Sequence, residues 1–200
     1  PMSAKAIHKS DRTIDCHGKY MLPGLTDAHY HPRGASTEKD FELFYKLLIA
    51  NGITSVISMG EDGGQDAIAI RDHANNSSVL APVYFTAGPF LGGEELKSPK
   101  DAIESVRYHK QRGYDFIKVH EDFTLDTYLT LLREAEKAGI PVVGHAQREL
   151  PLEYTLRLTL IAHMEEIVDI FSDNKNFKIA DISDQEAKKI AARVKSSGVY

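Results

Sequence analysis

Apolar residues along this chain recur in two alternating rhythms from about residue 20 to the end. Short runs rich in β-branched residues, such as 53–59, read as strands. Between them lie longer stretches whose apolar positions return every three or four residues, the helical spacing. Phe41, Phe44, Leu47 and Leu48 make one such stripe, opened by Ser36-Thr37 with Asp40 and stopped by Asn51-Gly52. Strands are predicted over 21–31, 53–59, 83–87, 116–120, 142–145 and 160–163. The intervening helices fall near 65–74, from Pro99 to Arg112 before Gly113, over 125–138 before Gly139, and over about 151–158. A last helix begins at a Ser183/Glu186 capping box, stops at Gly198, and leaves Val199-Tyr200 to begin a seventh strand.

Strands alternating with glycine-stopped helices indicate parallel βα units, and strands apolar on both faces fit a sheet covered by helices. Periodicity alone leaves two architectures open, a doubly wound sheet and a (β/α)8 barrel of which about six units are present. Gly60-Glu61-Asp62-Gly63-Gly64 lacks the glycine spacing of a phosphate loop, so it reads as an ordinary βα loop. Residues 1–20 stand apart; Ala6-Ile7 and Thr13-Ile14-Asp15 look like short extended pieces of a small separate sheet.

Composition narrows the function. Net charge is −5 with both signs interleaved and no basic cluster, which argues against nucleic acid and anionic membranes as partners. No apolar run spans a bilayer. Cys16 is the single cysteine, so no intrachain disulfide can form, and it reads as a half-buried apolar filler. No signal peptide is visible at the N-terminus. The opening Pro-Met fits a trimmed precursor or a cleaved tag, so a cytoplasmic location stands beside a periplasmic or secreted one. Self-association into a homo-oligomer is left open.

The chemistry lies at strand ends. His29 and His31, two apart, share one face of the first strand and could chelate one ion. The fifth and sixth strands end in His145 and His163, and Lys118 interrupts the apolar fourth strand. A buried ammonium is costly, so Lys118 either reaches the rim or reacts as a neutral amine with carbon dioxide to give a carbamate. His120 shares the face of Lys118; Arg33 and Arg148 follow two of the histidine strands. His8, His17, His73 and His109 fall on loops or helices and read as surface residues, and Glu165-Glu166 as the start of a helix.

MLPGLTDAHYH at 21–31 resembles the PGLID-x-H-x-H signature of the amidohydrolase superfamily. Matches follow in order: NGITSV at 51–56, YFTAGP at 84–89, DFIK at 115–118, VGHA at 143–146 and IAHMEE at 161–166, where Ala162 stands in place of a frequent glutamate. The resemblance is to the imidazolonepropionase-like branch, which includes prolidase-like dipeptidases that cleave Xaa-Pro bonds. It implies an incomplete metal-dependent hydrolase barrel over 21–200, with part of a small β-sandwich over 1–20. It further implies a binuclear centre of two divalent ions, zinc in the first instance. His29 and His31 would hold one ion, His145 and His163 the other, and carboxylated Lys118 would bridge them. The family's aspartate at the end of the eighth strand has no counterpart here.

The expected activity is hydrolysis of an amide or peptide-like C–N bond in a small molecule or dipeptide by metal-activated water. Arg33, Arg148 and His120 are the candidates for contacting substrate. The alternatives are a mononuclear deaminase or cyclic amide hydrolase, in which Lys118 is structural, and a non-catalytic barrel used for binding. The 200 residues by themselves are expected to be inactive.

Overall fold

The structure is a computed structural model that describes residues 14–60, 66–76, 78–170 and 182–200. Among these residues six strands alternate with helices. They are β1 (Leu25–Tyr30), α1 (Glu38–Ala50), β2 (Ile53–Ser58), α2 (Ala67–Ala74), β3 (Val83–Thr86) and α3 (Pro99–Arg112). There follow β4 (Ile117–Val119), α4 (Leu125–Ala138), β5 (Val142–Gly144), α5 (Leu152–Thr155), β6 (Leu160–Ile161), α6 (Met164–Asp169) and α7 (Asp184–Ser197). Every pairing is parallel, in the orders β1-β2-β3 and β4-β5-β6. The fold is therefore α/β, and its described strands form two sheets rather than a closed ring.

Helix ends follow local chemistry closely. Thr37 and Asp40 form a capping box for α1, and Ser183 and Glu186 form another for α7. Pro99 opens α3 behind Ser98, whose side chain accepts the Asp101 amide. Gly113 and Gly139 end α3 and α4 in the left-handed conformation that glycine enters without a Cβ penalty.

Each sheet has its own core. Phe41, Tyr45, Val56, Ile70 and Tyr84 pack under the first, and Val106, Ile117, Tyr128, Leu131 and Val142 under the second. The two sheets meet between β3 and β4. The Asp115 amide donates to the Thr86 carbonyl at 2.9 Å, and the Asp115 carboxylate accepts the Thr86 amide at 2.9 Å. Arg71 steadies that carboxylate from 3.4 Å while donating to the Gly113 carbonyl. Beyond β3, Leu91 exchanges backbone hydrogen bonds with Lys118 and His120.

Several expectations need adjustment. The strands are shorter than their apolar runs, because β1, β4, β5 and β6 stop before His31, His120, His145 and His163. The helix expected over 151–158 is a single turn, since Leu156 already leaves it. Val199 and Tyr200 form no strand, yet Tyr200 donates to the Thr159 carbonyl and accepts from the Ile161 amide, one parallel rung beside β6.

Two surface readings also change. Cys16 is exposed rather than half-buried, because 14–20 makes only a turn on the surface. His109 is fully buried, since it lies on the packed face of α3 between Tyr108 and Tyr114 and bonds the Ser105 carbonyl. The extended pieces at Ala6-Ile7 and Thr13, with His8, lie outside the described residues. No described helix is long and apolar enough to cross a membrane.

Candidate metal centre

The histidines gather where the strands end. His29 lies on β1, its amide held by the Asp27 carboxylate at 3.0 Å, and His31 follows two residues later on the same face. The two Nε2 atoms are 3.0 Å apart. A carbonyl can only accept, so the 2.9 Å contact of His31 Nδ1 with Gly60 O makes Nδ1 the protonated nitrogen. The lone pair of a neutral His31 is thereby left on Nε2, facing His29.

Lys118 sits at the centre of β4, 2% exposed, and its Nζ has no hydrogen-bond partner among the described residues. Burial lowers its pKa from 10.5 to about 8, against the opposing pull of the Glu166 and Glu121 carboxylates. The same crowding acts on His29. Burial first, then the charge of Lys118 and the neighbouring histidines, push its pKa down to about 4.

Gly144 lets β5 close against β4. It has φ 142°, and a Cβ there would overlap the Val119 carbonyl oxygen. Immediately after it, the His145 ring lies 4.0 Å from His120, tilted, and 4.8 Å from His163, edge to face, and His163 lies 4.7 Å from His29. Gln147 ties the strand ends together by donating to the His120 and His145 carbonyls.

One cavity of about 580 Å³ is lined by His29, His31, Lys118, His145 and His163, together with Arg33, His120, Met59 and Phe90. Arg148 is not among its lining residues. Its guanidinium instead faces Glu166 at 3.4 Å and Glu121 at 3.7 Å. A cavity of about 610 Å³ opens at the other end of β5, around Gly139, Pro141, Leu158 and Ser197, and has no histidine in its lining.

Glu121 and Glu166 have no place in the sequence reading of the site. Glu166 does begin a helix, as expected, but it is 2% exposed and its Oε1 lies 2.9 Å from His145 Nδ1. Glu121 lies 3.4 Å from the same nitrogen. The one signal in sequence is a carboxylate one turn after a strand-end histidine, at the head of a short helix.

These residues fit divalent metal. Two nitrogens bound to one ion at about 2.0–2.1 Å in near-tetrahedral or right-angled geometry stand roughly 2.9–3.3 Å apart, the separation seen for His29 and His31. Two further sets, His120–Glu121–His145 and His145–His163–Glu166, keep their donor atoms within 4.8 Å of one another. The buried amine of Lys118, without a hydrogen bond among the described residues and drawn only by the charges of Glu166 and Glu121, also fits such a centre.

The sequence profile of the amidohydrolase family matches residues 20–184. Among solved structures, the chain is similar to a bottromycin amidohydrolase, with TM-score 0.60 and 22% identity, covering 86% of this chain and 37% of that one. It is also similar to a prolidase candidate from Bifidobacterium longum, with TM-score 0.52 and 18% identity, covering 88% and 57%. These likenesses establish the fold, and the chain spans less than two thirds of either protein. No curated protein gives a significant match.

Proposed function

Because the chain belongs to the amidohydrolase family, we propose that it carries the metal centre of a metal-dependent hydrolase acting on C–N bonds of small substrates. The carrying observation is that His29 and His31 from one sheet, and Lys118, His145 and His163 from the other, line one cavity. The architecture proposed is a partial (β/α)8 barrel. Six parallel units, a rung at Tyr200 beside β6, and a site at the C-terminal ends of the strands support it.

In this reading His29 and His31 hold one divalent ion and His145 and His163 a second, zinc in both cases. Bound there, such ions supply Lewis acidity, lowering the pKa of water and polarising a carbonyl. Lys118, as a carbamate, would supply an anionic ligand to both. The neutral Nζ lone pair forms a bond to the carbon of carbon dioxide, one N–H proton leaves to solvent, and a carboxylate results. Burial favours that reaction by holding much of the amine uncharged near pH 8. Arg33, on the cavity wall, binds a substrate carboxylate such as that of a dipeptide; Arg148 is engaged by Glu121 and Glu166 instead. His120, stacked between Phe90 and His145, positions the substrate from the side.

Zinc titration of metal-free protein in ¹³C-bicarbonate tests the centre. Two ions per chain and a carbamate carbon signal absent from Lys118→Ala are expected. One ion without carbamate would instead support a mononuclear deaminase or cyclic amide hydrolase, and no binding would remove the metal reading. Xaa-Pro dipeptides and N-acyl amino acids assayed with the zinc-loaded full-length gene product test the substrate class. Arg33→Ala should raise KM for these more than it lowers kcat.

A further inference from the structure

Glu166 lies deeper in the site than any other carboxylate described here. Its side chain is 3% exposed, and helix α6 delivers it to the end of β5. Oε2 accepts the Ala146 amide at 2.8 Å, which fixes the carboxylate plane. Oε1 is turned toward His145 Nδ1 at 2.9 Å, with the Arg148 guanidinium at 3.4 Å. A carboxylate so far from water requires cationic company. Arg148, itself 41% exposed, and the Lys118 amine, which interacts with Glu166 through charge without a hydrogen bond among the described residues, meet that need only in part.

The surrounding donors suggest what else is needed. One ligand atom each from His145, His163 and Glu166 lies within 4.8 Å of the other two. The 2.9 Å between His145 Nδ1 and Glu166 Oε1 is the same spacing that suits His29 and His31 to a shared ion. Metal-bound carboxylates commonly keep outer hydrogen bonds, and the Ala146 amide and Arg148 are placed to provide them.

Building on the binuclear reading, we propose that Glu166 is a direct protein ligand of the second ion, completing with His145 and His163 a three-donor face. In the metal-free protein, Glu166 and His145 satisfy each other. On loading, the ion takes the place of the shared proton, which is released to solvent. The added negative charge, with that of the Lys118 carbamate, offsets positive charge of the ions beside a cavity whose other polar lining is imidazoles and Arg33.

Anomalous diffraction from crystals of the zinc-loaded protein tests this on the unaltered chain. The expected result is a zinc peak among His145, His163 and Glu166, with Oε1 at about 2.0–2.2 Å. A peak on the two histidines with Oε1 beyond hydrogen-bond reach of the ion would overturn the proposal and leave the binuclear reading intact. Absence of any peak near the histidines would overturn both. In solution, Glu166→Gln keeps the shape and the Ala146 bond. It should retain the ion at His29 and His31 while weakening the second by about 100-fold or more, beyond the ordinary outer-contact range. Equal binding of both ions by Glu166→Gln would count against a ligand role.

Discussion

The ring of His31 donates its Nδ1 proton to the Gly60 carbonyl at 2.9 Å, and this bond sets Nε2 as the nitrogen that meets His29. A histidine ring has two ways to carry one proton, and a free ring would present the wrong nitrogen part of the time. Here Gly60, two residues past the end of β2, prepares a side chain that stands just past the end of β1.

Replacing His31 should therefore remove the first ion while leaving the second. His31→Ala is expected to lower affinity for that ion more than about 100-fold, above the 10–100-fold typical of outer contacts. Competition against a chromophoric zinc chelator would show one tight site instead of two. Retention of both would contradict the assignment.

Lys118→Met should stabilise the metal-free protein, by about 1–3 kcal/mol, because it removes a buried polar group with no hydrogen-bond partner among the described residues. The gain depends on pH with a definite sign. The folded amine releases its proton near 8 and the unfolded one near 10.5, so between these values the unfolded chain binds more protons. Wild-type stability then rises with pH across that window, and the advantage of the variant shrinks. Urea unfolding at pH 7 and pH 10.5 would reveal it; a constant difference would refute the burial argument.

His29 should steepen acid destabilisation. Its pKa of about 4 in the folded chain lies below the ordinary 6.5, so the unfolded chain holds an extra proton between those values. The stabilising effect is complete above pH 6.5 and is lost as pH falls through about 4. His29→Gln in metal-free protein should flatten the stability curve in that range, though His120, also lowered by burial, keeps part of the slope. An unchanged slope would mean that folding does not shift the His29 pKa.

Gly144→Ala should damage the fold and the site together. The new methyl would meet the Val119 carbonyl oxygen, which is backbone and cannot swing aside, at a φ that side chains rarely adopt. A loss of at least about 2 kcal/mol is expected from strain and overpacking combined. Thermal unfolding measures the loss, and zinc affinity reports the accompanying shift of His145. A variant as stable as the parent would show that β5 can move away from β4.

Much of the fold was legible because helix ends are written locally. Thr37 with Asp40, Pro99, Gly113, Gly139 and Ser183 with Glu186 act on neighbours within a few residues, and the observed boundaries follow them. Strand ends were less legible. His145 continues an apolar run in sequence but leaves the ladder at Gly144, since pairing depends on the neighbouring strand rather than on the run itself. Convergence of the histidines could be anticipated from their positions at strand ends. Glu166 could not: its partners, His145 and Arg148, come from another unit, and nothing near it in sequence reports that meeting. His109 was misread for a similar reason, because only the packing of α3 decides which of its faces is covered.

The two sheets are joined at Asp115 and Thr86, at Leu91 and at the Phe85–Phe116 ring contact, while the proposed ion pair takes nitrogen from both. Metal at this centre would then serve as a rivet between two plates as well as a chemical reagent. Its removal would be felt along the seam by Arg71 and Gly113, which lie outside the lining of the histidine cavity, and amide exchange there would become an indirect gauge of loading.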